Sequence, residues 1–202
     1  MSRIAAIVLA AGTASRFRAV DPTIPTKLVA LIDGVPIVRR AGTAALASRA
    51  RPVVVVTGHA EADVRTALAG LAVSLVPNPD YATGIASSLR VGLAALPAEI
   101  DGALVLLGDM PGVTGPLLDR LIAAFDASEG IDAVVPVHGG RRGNPALLGR
   151  ALFSAAADFG GDEGARRLLF RARVEEVEIK DDTVLVDIDE PQMLRTFGSL
   201  DL

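Results

Sequence analysis

Near its start the chain reads Ile4-Ala5-Ala6-Ile7-Val8-Leu9-Ala10-Ala11-Gly12-Thr13-Ala14-Ser15-Arg16, an apolar run that ends in a turn of small residues. The run is far too short to span a bilayer, which takes roughly 20 apolar residues. It also sits at the short end of signal-peptide cores, so a buried first strand feeding a glycine loop is the better reading. On that reading a soluble, cytoplasmic protein is expected. Val53–Thr57, Val73–Val76, Ala103–Leu107 and Ala133–Val137 repeat the same character. They are short and aliphatic with little polar alternation, as strands buried on both faces are.

Between these runs lie stretches of helical spacing, Pro36–Ser48, Ala60–Ala69, Ile85–Leu96 and Pro116–Ala127. Pro36 and Pro116 suit first-turn positions, where a missing N–H does no harm. Strand–helix alternation implies right-handed crossovers and helices on both faces of the sheet. The expected fold is therefore α/β, a Rossmann-like three-layer α/β/α arrangement with a mostly parallel central sheet, residues 1–202 forming a single domain. Gly139-Gly140 predicts a small hairpin insertion after the fifth strand, and Val174–Ile179 and Val184–Ile188 read as two later strands. In such sheets ligands bind beyond the carboxyl ends of the strands.

Composition narrows the chemistry. The chain is 50% hydrophobic but only 3% aromatic, without tryptophan, so its core is aliphatic. Twenty basic against 24 acidic residues give a net charge of -4, which argues against a nucleic-acid partner. With no cysteine, disulfides, thiolate metal sites, Fe–S clusters and thiol nucleophiles are all excluded. Two histidines make a histidine-rich metal site unattractive, and both His59 and His138 read as turn or surface residues. No Gly-x-Ser-x-Gly elbow supports hydrolysis.

The first loop carries the chemistry. Small residues from Leu9 through Ala10, Ala11 and Gly12 let a backbone approach a ligand, and successive N–H groups there can cradle phosphate oxygens. Arg16 and Lys27 add fixed positive charge suited to a triphosphate. The loop is neither a Walker A sequence nor the three-glycine dinucleotide fingerprint, which weighs against a nicotinamide-dependent oxidoreductase. Asp109 follows a buried strand, where a carboxylate can hold Mg²⁺ through oxygen or simply cap a turn. Asp187 and Asp189 fall on or beside the last predicted strand; placed on its opposite faces, only one of them is expected at a shared metal. Ser87 and Ser88 stand near a helix start, where N-capping and ligand binding are compatible roles. Arg141 and Arg142 in the hairpin suit a phosphate or a carboxylate, or a solvated turn. Asp162 reads as a helix cap with Glu163 in the first turn.

These residues together resemble the MobA-like nucleotidyltransferases, and within them the molybdenum cofactor cytidylyltransferase branch. The likeness rests on Leu9-Ala10-Ala11-Gly12 with Ser15-x-Arg16 and Pro25-x-Lys27-Leu28. It continues in Asn78-Pro79 with Gly84-Ile85-Ala86-Ser87-Ser88-Leu89, and in Leu107-Gly108-Asp109-Met110-Pro111. Gly140-Arg141-Arg142-Gly143-Asn144-Pro145, Gly161-Asp162-Glu163-Gly164-Ala165-Arg166 and Asp187-Ile188-Asp189-Glu190-Pro191 complete it, in order along nearly the whole chain.

The resemblance implies a nucleoside triphosphate over the first loop, held by Leu9, Ala10, Ala11, Gly12, Asn78, Ser87 and Ser88. It implies Mg²⁺ on Asp109 and Asp187, with Asp189 left to cap the helix near Pro191. Arg16, Lys27 and Asp109 are the implied catalytic groups. Arg141, Arg142, Asn144, Asp162 and Arg166 are the implied contacts to the acceptor, the terminal phosphate of a molybdenum-loaded pterin. That phosphate would attack the α-phosphorus in line and pyrophosphate would leave, a reaction that asks for positioning and charge neutralisation. A molybdoenzyme client is the implied downstream partner. Cytidylyl-transferring relatives show Ala where guanylyl-transferring ones show Gly, so Ala11 points to CTP over GTP. The sequence departs from its relatives at Arg18, where they carry glycine, in a longer segment, Ala19 to Ile24, before Pro25, and at Glu190, where Thr is common. A sugar phosphate, polyol phosphate or phospholactate acceptor, or a non-catalytic pterin chaperone, are the competing readings.

Overall fold

A computed structural model describes residues 1–157 and 168–197. The sheet is built on β1 (Ile4–Ala10), which is buried along its whole length. It pairs in parallel with β4 (Val53–Thr57) on one side and β6 (Gly102–Leu107) on the other. β5 (Ser74–Pro77) extends the sheet past β4. Beyond β6 come β9 (Ala146–Gly149), β7 (Ala133–His138) and β10 (Val174–Glu178), giving the order β10-β7-β9-β6-β1-β4-β5. β9 runs antiparallel to both β6 and β7, and every other ladder along this path is parallel. β8 (Arg141–Arg142) folds back on β7 through Gly139 and Gly140, both at positive φ, where glycine carries no Cβ penalty. A separate two-stranded hairpin, β2 (Leu31–Ile32) and β3 (Val35–Pro36), turns at Asp33-Gly34.

Alternation along β1 makes the three layers. Ile4, Ala6, Val8 and Ala10 join one apolar cluster, and Ile7 and Leu9 join another. The first cluster takes the inner faces of α2 (Ile37–Ala47) and α5 (Gly115–Ala127). Thr114 caps α5, its hydroxyl accepting the Leu117 N–H, with Pro116 in the first turn. The second cluster takes α4 (Ile85–Ala94) and α6 (Phe153–Ala157). α4 lies so close that a Cβ on Gly92 would stand 2.6 Å from Ile7 Cγ2. A short helix α1 (Ser15–Val20) and α3 (Glu61–Ala67) complete the chain's first half.

The fold is the expected three-layer α/β/α with a mostly parallel sheet. Two expectations are corrected. The insertion after β7 is not irregular, because β9 enters the sheet between β6 and β7. Val184–Ile188 is not a strand. The Asp181 carboxylate accepts the Thr183 N–H and draws the chain into a 3₁₀ turn, Asp182–Val184, after which it runs outside the sheet. Among the described residues, no helix is long and apolar enough to cross a membrane.

Candidate active site

β1 and β6 are the strands from which connections depart in opposite directions, so the gap beyond their carboxyl ends is a topological switch point. Leu9 pairs with Leu107, which brings the first loop and the Gly108-Asp109 turn side by side. Gly108 donates its N–H to the Leu9 carbonyl at 2.9 Å. A Cβ there would sit 2.9 Å from that oxygen, so only glycine allows the turn that delivers Asp109.

The third element arrives from the far end of the chain. The Ile188 N–H donates to the Asp109 carbonyl at 3.0 Å. Ile188 itself is fully buried against Phe17, Ala30, Ile32 and Ile37. The residues on either side, Asp187 and Asp189, both line the cleft. This overturns the expectation that they point apart. Residues i and i+2 of an extended chain share a face, and here the buried residue between them turns both carboxylates toward Asp109. Ligand oxygens of Asp109, Asp187 and Asp189 lie within 4.8 Å of one another.

Lys27 stands among them. Its Nζ is 2.7 Å from Asp109 Oδ2 and 2.9 Å from Asp189 Oδ1, and Arg16 Nη1 is 2.6 Å from the other Asp189 oxygen. Lys27 starts a 3₁₀ turn (Lys27–Val29) capped by Thr26, whose hydroxyl accepts the Leu28 N–H at 3.4 Å. Burial works to lower the Lys27 pKa, but the Asp109 and Asp189 carboxylates outweigh it and hold the ammonium above its ordinary value. Asp189 is pushed up by burial and pulled further down by Lys27 and Arg16, ending below the usual carboxylate range. Asp187 is raised by its burial and by the neighbouring Asp109 and Asp189 charges. Asp109 Oδ1 is buried with no hydrogen-bond partner, a costly state for a carboxylate oxygen. An orphaned hard oxygen beside two more carboxylates fits a divalent cation of the Mg²⁺ or Mn²⁺ type.

The cleft holds about 500 Å³. Of the residues expected at the nucleotide, Leu9, Ala11, Gly12 and Ser88 line it, together with Arg16, Lys27, Asp109 and Asp187. Ala10 is fully buried and takes no part in the lining. Asn78 and Ser87 lie behind the wall: Asn78 Nδ2 donates to the hydroxyls of Ser87 and Ser88 at 2.9 and 3.0 Å. Ser87 Oγ donates to the Asp80 and Gly84 carbonyls, so it stabilises the turn before α4; the N-cap is Gly84, not a serine. Arg141, Arg142 and Asn144 line a different cavity of about 610 Å³ beside Val135 and Phe170. Arg142 is paired there with Glu176 at 2.7 Å. Asp162 and Arg166 fall outside the described residues. Sequence reasoning left Asp189 as a helix cap and passed over Tyr81, which forms part of the cleft wall; the Asp-x-Asp spacing was the signal for the first.

Comparison with known proteins falls on the same residues. The MobA-like NTP transferase domain model matches residues 6–177. The molybdenum cofactor cytidylyltransferase of Escherichia coli is 27% identical over 193 residues, 95% of this chain and 93% of that protein. The bifunctional protein GlmU of Kineococcus radiotolerans is 38% identical over 125 residues, 61% of this chain; the chain spans only 25% of that protein's length. Rv0371c of Mycobacterium tuberculosis superposes with a TM-score of 0.82 at 27% identity over 98% of both chains. A structure of Rv0371c in complex with manganese superposes with a TM-score of 0.78. A family match that spans the first loop, the aspartate turn and the strands that present them leaves one conclusion: the chain belongs to the MobA-like NTP transferase family, the nucleotidyltransferases.

Proposed function

We propose that the protein transfers CMP from CTP to the terminal phosphate of a molybdenum-pterin cofactor and releases pyrophosphate. The observation that carries this reading is the Lys27 ammonium, which joins the first loop to Asp109 and Asp189 in one cleft. Arg16 and Lys27 are the cations for the triphosphate, and the cleft's small-residue wall, Ala11 and Gly12, lies against the nucleotide. Asp109 and Asp187, with Asp189, would hold Mg²⁺, which when bound neutralises phosphate charge. The residues do the rest by placement. Lys27 offers donors to phosphate oxygens as charge builds there, and Arg16, released from Asp189, offers a second set. The acceptor phosphate oxygen bonds to the α-phosphorus while the bond to the β-phosphate oxygen breaks. The Ala11 methyl in the cleft wall supports a pyrimidine base. The overall match to the cytidylyltransferase of Escherichia coli supports the pterin acceptor.

Arg141, Arg142 and Asn144 belong to the acceptor side of this proposal, with Asp162 and Arg166. So do a cytoplasmic location, a molybdoenzyme client and the assignment of residues 1–202 to a single domain. The test is pyrophosphate release from each of CTP, GTP, ATP and UTP with Mg²⁺, against molybdenum-pterin, sugar phosphate, polyol phosphate and phospholactate acceptors. Turnover with CTP and the pterin alone is the expected result. Turnover with another acceptor overturns the pterin assignment, and nucleotide binding without any turnover points to a carrier.

A further inference from the structure

His59 lies just outside the cleft and touches the elements that build it. Its backbone N–H donates to the Ala11 carbonyl at 3.2 Å. The preceding Gly58 is wedged so tightly that a Cβ there would stand 2.7 Å from Tyr81 Cβ and 2.8 Å from Ala11 Cβ. The imidazole leans on Tyr81, with ring centroids 6.1 Å apart and planes at 53°. Its Nε2 then reaches across to the first loop's far end, 3.2 Å from the Pro25 carbonyl and 3.3 Å from Arg18 Nη1.

Those two contacts make opposite demands on one nitrogen. The Pro25 carbonyl only accepts, so it needs a proton on Nε2. The Arg18 guanidinium only donates, so it needs a lone pair there. A neutral imidazole satisfies one partner at a time. Pro25 is two residues before Lys27, and Thr26 between them is fully buried and caps the turn that Lys27 opens. Holding the Pro25 carbonyl therefore sets where the ammonium enters the carboxylate cluster. Arg18 stands in the segment where this chain is longer than its relatives, so the extra length has its tether at His59.

We propose that His59 is a positioning residue for Lys27: it clamps the Pro25 carbonyl to the rigid end of β4, and Arg18 competes for the same nitrogen until an anion draws it away. The proposal rests on the reading of the cleft as a triphosphate site. It predicts that the clamp tightens when nucleotide is bound, because Arg18 then leaves the Nε2 proton to Pro25.

Four variants separate the possibilities. His59→Phe keeps the ring against Tyr81 and removes the hydrogen bond. His59→Asn is too short to reach from Cβ, His59→Gln places an amide N–H near the Nε2 position, and Arg18→Ala removes the competitor alone. Binding of manganese–CTP is measured by titration calorimetry. Cleavage by trypsin after Arg18 is followed without nucleotide, and melting temperature is recorded for each protein. The expected result is an affinity loss of about three- to tenfold in His59→Phe and His59→Asn, the worth of one hydrogen bond. Both should be cut faster after Arg18, with melting temperatures at the wild-type value, and His59→Gln should restore binding and protection. Arg18→Ala should leave the Pro25 clamp closed and so bind no worse than His59→Phe. Wild-type binding and cutting in His59→Phe overturn the proposal, as does a His59→Gln no better than His59→Asn. Should the wild-type protein bind no nucleotide at all, the triphosphate reading fails, while the tryptic comparison still decides whether His59 holds the loop.

Discussion

Two cavities open on the protein, and the larger is the less charged in its depths. The cleft between β1 and β6 encloses about 500 Å³ and the one beside the β7–β8 hairpin about 610 Å³. Both are edged by arginine and glycine turns. In the first, Lys27 and Asp109 pair with only 14% and 17% of their side-chain surface exposed. In the second, Arg142 and Glu176 pair with 48% and 49% exposed. An ion pair in water is screened and worth little, while a desolvated one is costly to assemble and costly to break. Three carboxylates and one ammonium held together out of water therefore mark a site, where an exposed pair of the same length marks only a surface. Volume is a poor guide to where the chemistry sits.

The comparison breaks first at Asp109. Asp109→Ala should lower pyrophosphate release from CTP by about 10²–10³-fold, the scale of losing a charge-stabilising group at a reacting centre. An equal loss from Arg142→Ala in manganese–CTP binding would erase the difference between the two cavities. Lys27→Met comes next. It should weaken manganese–CTP binding about tenfold or more, since a charge-assisted hydrogen bond is worth about 1.5–3 kcal/mol. The same change should tighten binding of manganese alone, because the ammonium that occupies the carboxylate oxygens is gone; calorimetry with and without CTP reads both.

The pH dependence of melting sharpens the contrast. Lys27 has a raised pKa in the folded protein, so its stabilisation is complete below its unfolded value of about 10.4 and is lost as pH rises through the higher folded value. Lys27→Met should remove that alkaline limb. Asp132, at the base of β7, accepts the Arg173 N–H at 2.8 Å and is held below the usual carboxylate range by it and by the Arg173 side chain. Its stabilisation is present above about 3.9 and is lost as pH falls through the depressed folded value, so Asp132→Asn should soften the acid limb. Asp189 in the cleft contributes on the acid side too, and only the alkaline limb belongs to the cleft alone. The smallest effect is expected at Arg142→Ala, about 0.2–1 kcal/mol of stability in a chemical denaturation, as for an exposed pair.

Much of this was legible in the residues. The five apolar runs fall within a residue or two of β1, β4, β5, β6 and β7, because burial on both faces leaves a continuous aliphatic signature. Ala146-Leu147-Leu148-Gly149 is such a run as well, but one too short to tell from a loop; only its pairing partners make it a strand. Asp33-Gly34 carried the hairpin dipeptide of β2–β3 openly. Val184–Ile188 looked extended, and the turn that prevents it is made by the side chain of Asp181, a local hydrogen bond that competes with the ladder. At the site, Asp109 and Lys27 were readable as types in a pattern. Their meeting with Asp189 depends on the backbone bond from Ile188 to Asp109, which no spacing along the chain announces. Asn78 and Ser87 have the right chemistry for a ligand, and their hydrogen bonds instead go to the wall that presents Ser88.

Ile188 also makes the carboxylate cluster a folding element. Its buried side chain draws a strongly acidic segment against Asp109, and truncating such a residue typically costs about 2–5 kcal/mol. Aliphatic burial at one position thus offsets like-charge repulsion at the two flanking it. Any cation bound between those charges relieves the opposition and anchors the last segment of the chain, so thermal denaturation becomes an assay of cation occupancy, rising with the logarithm of its concentration above saturation.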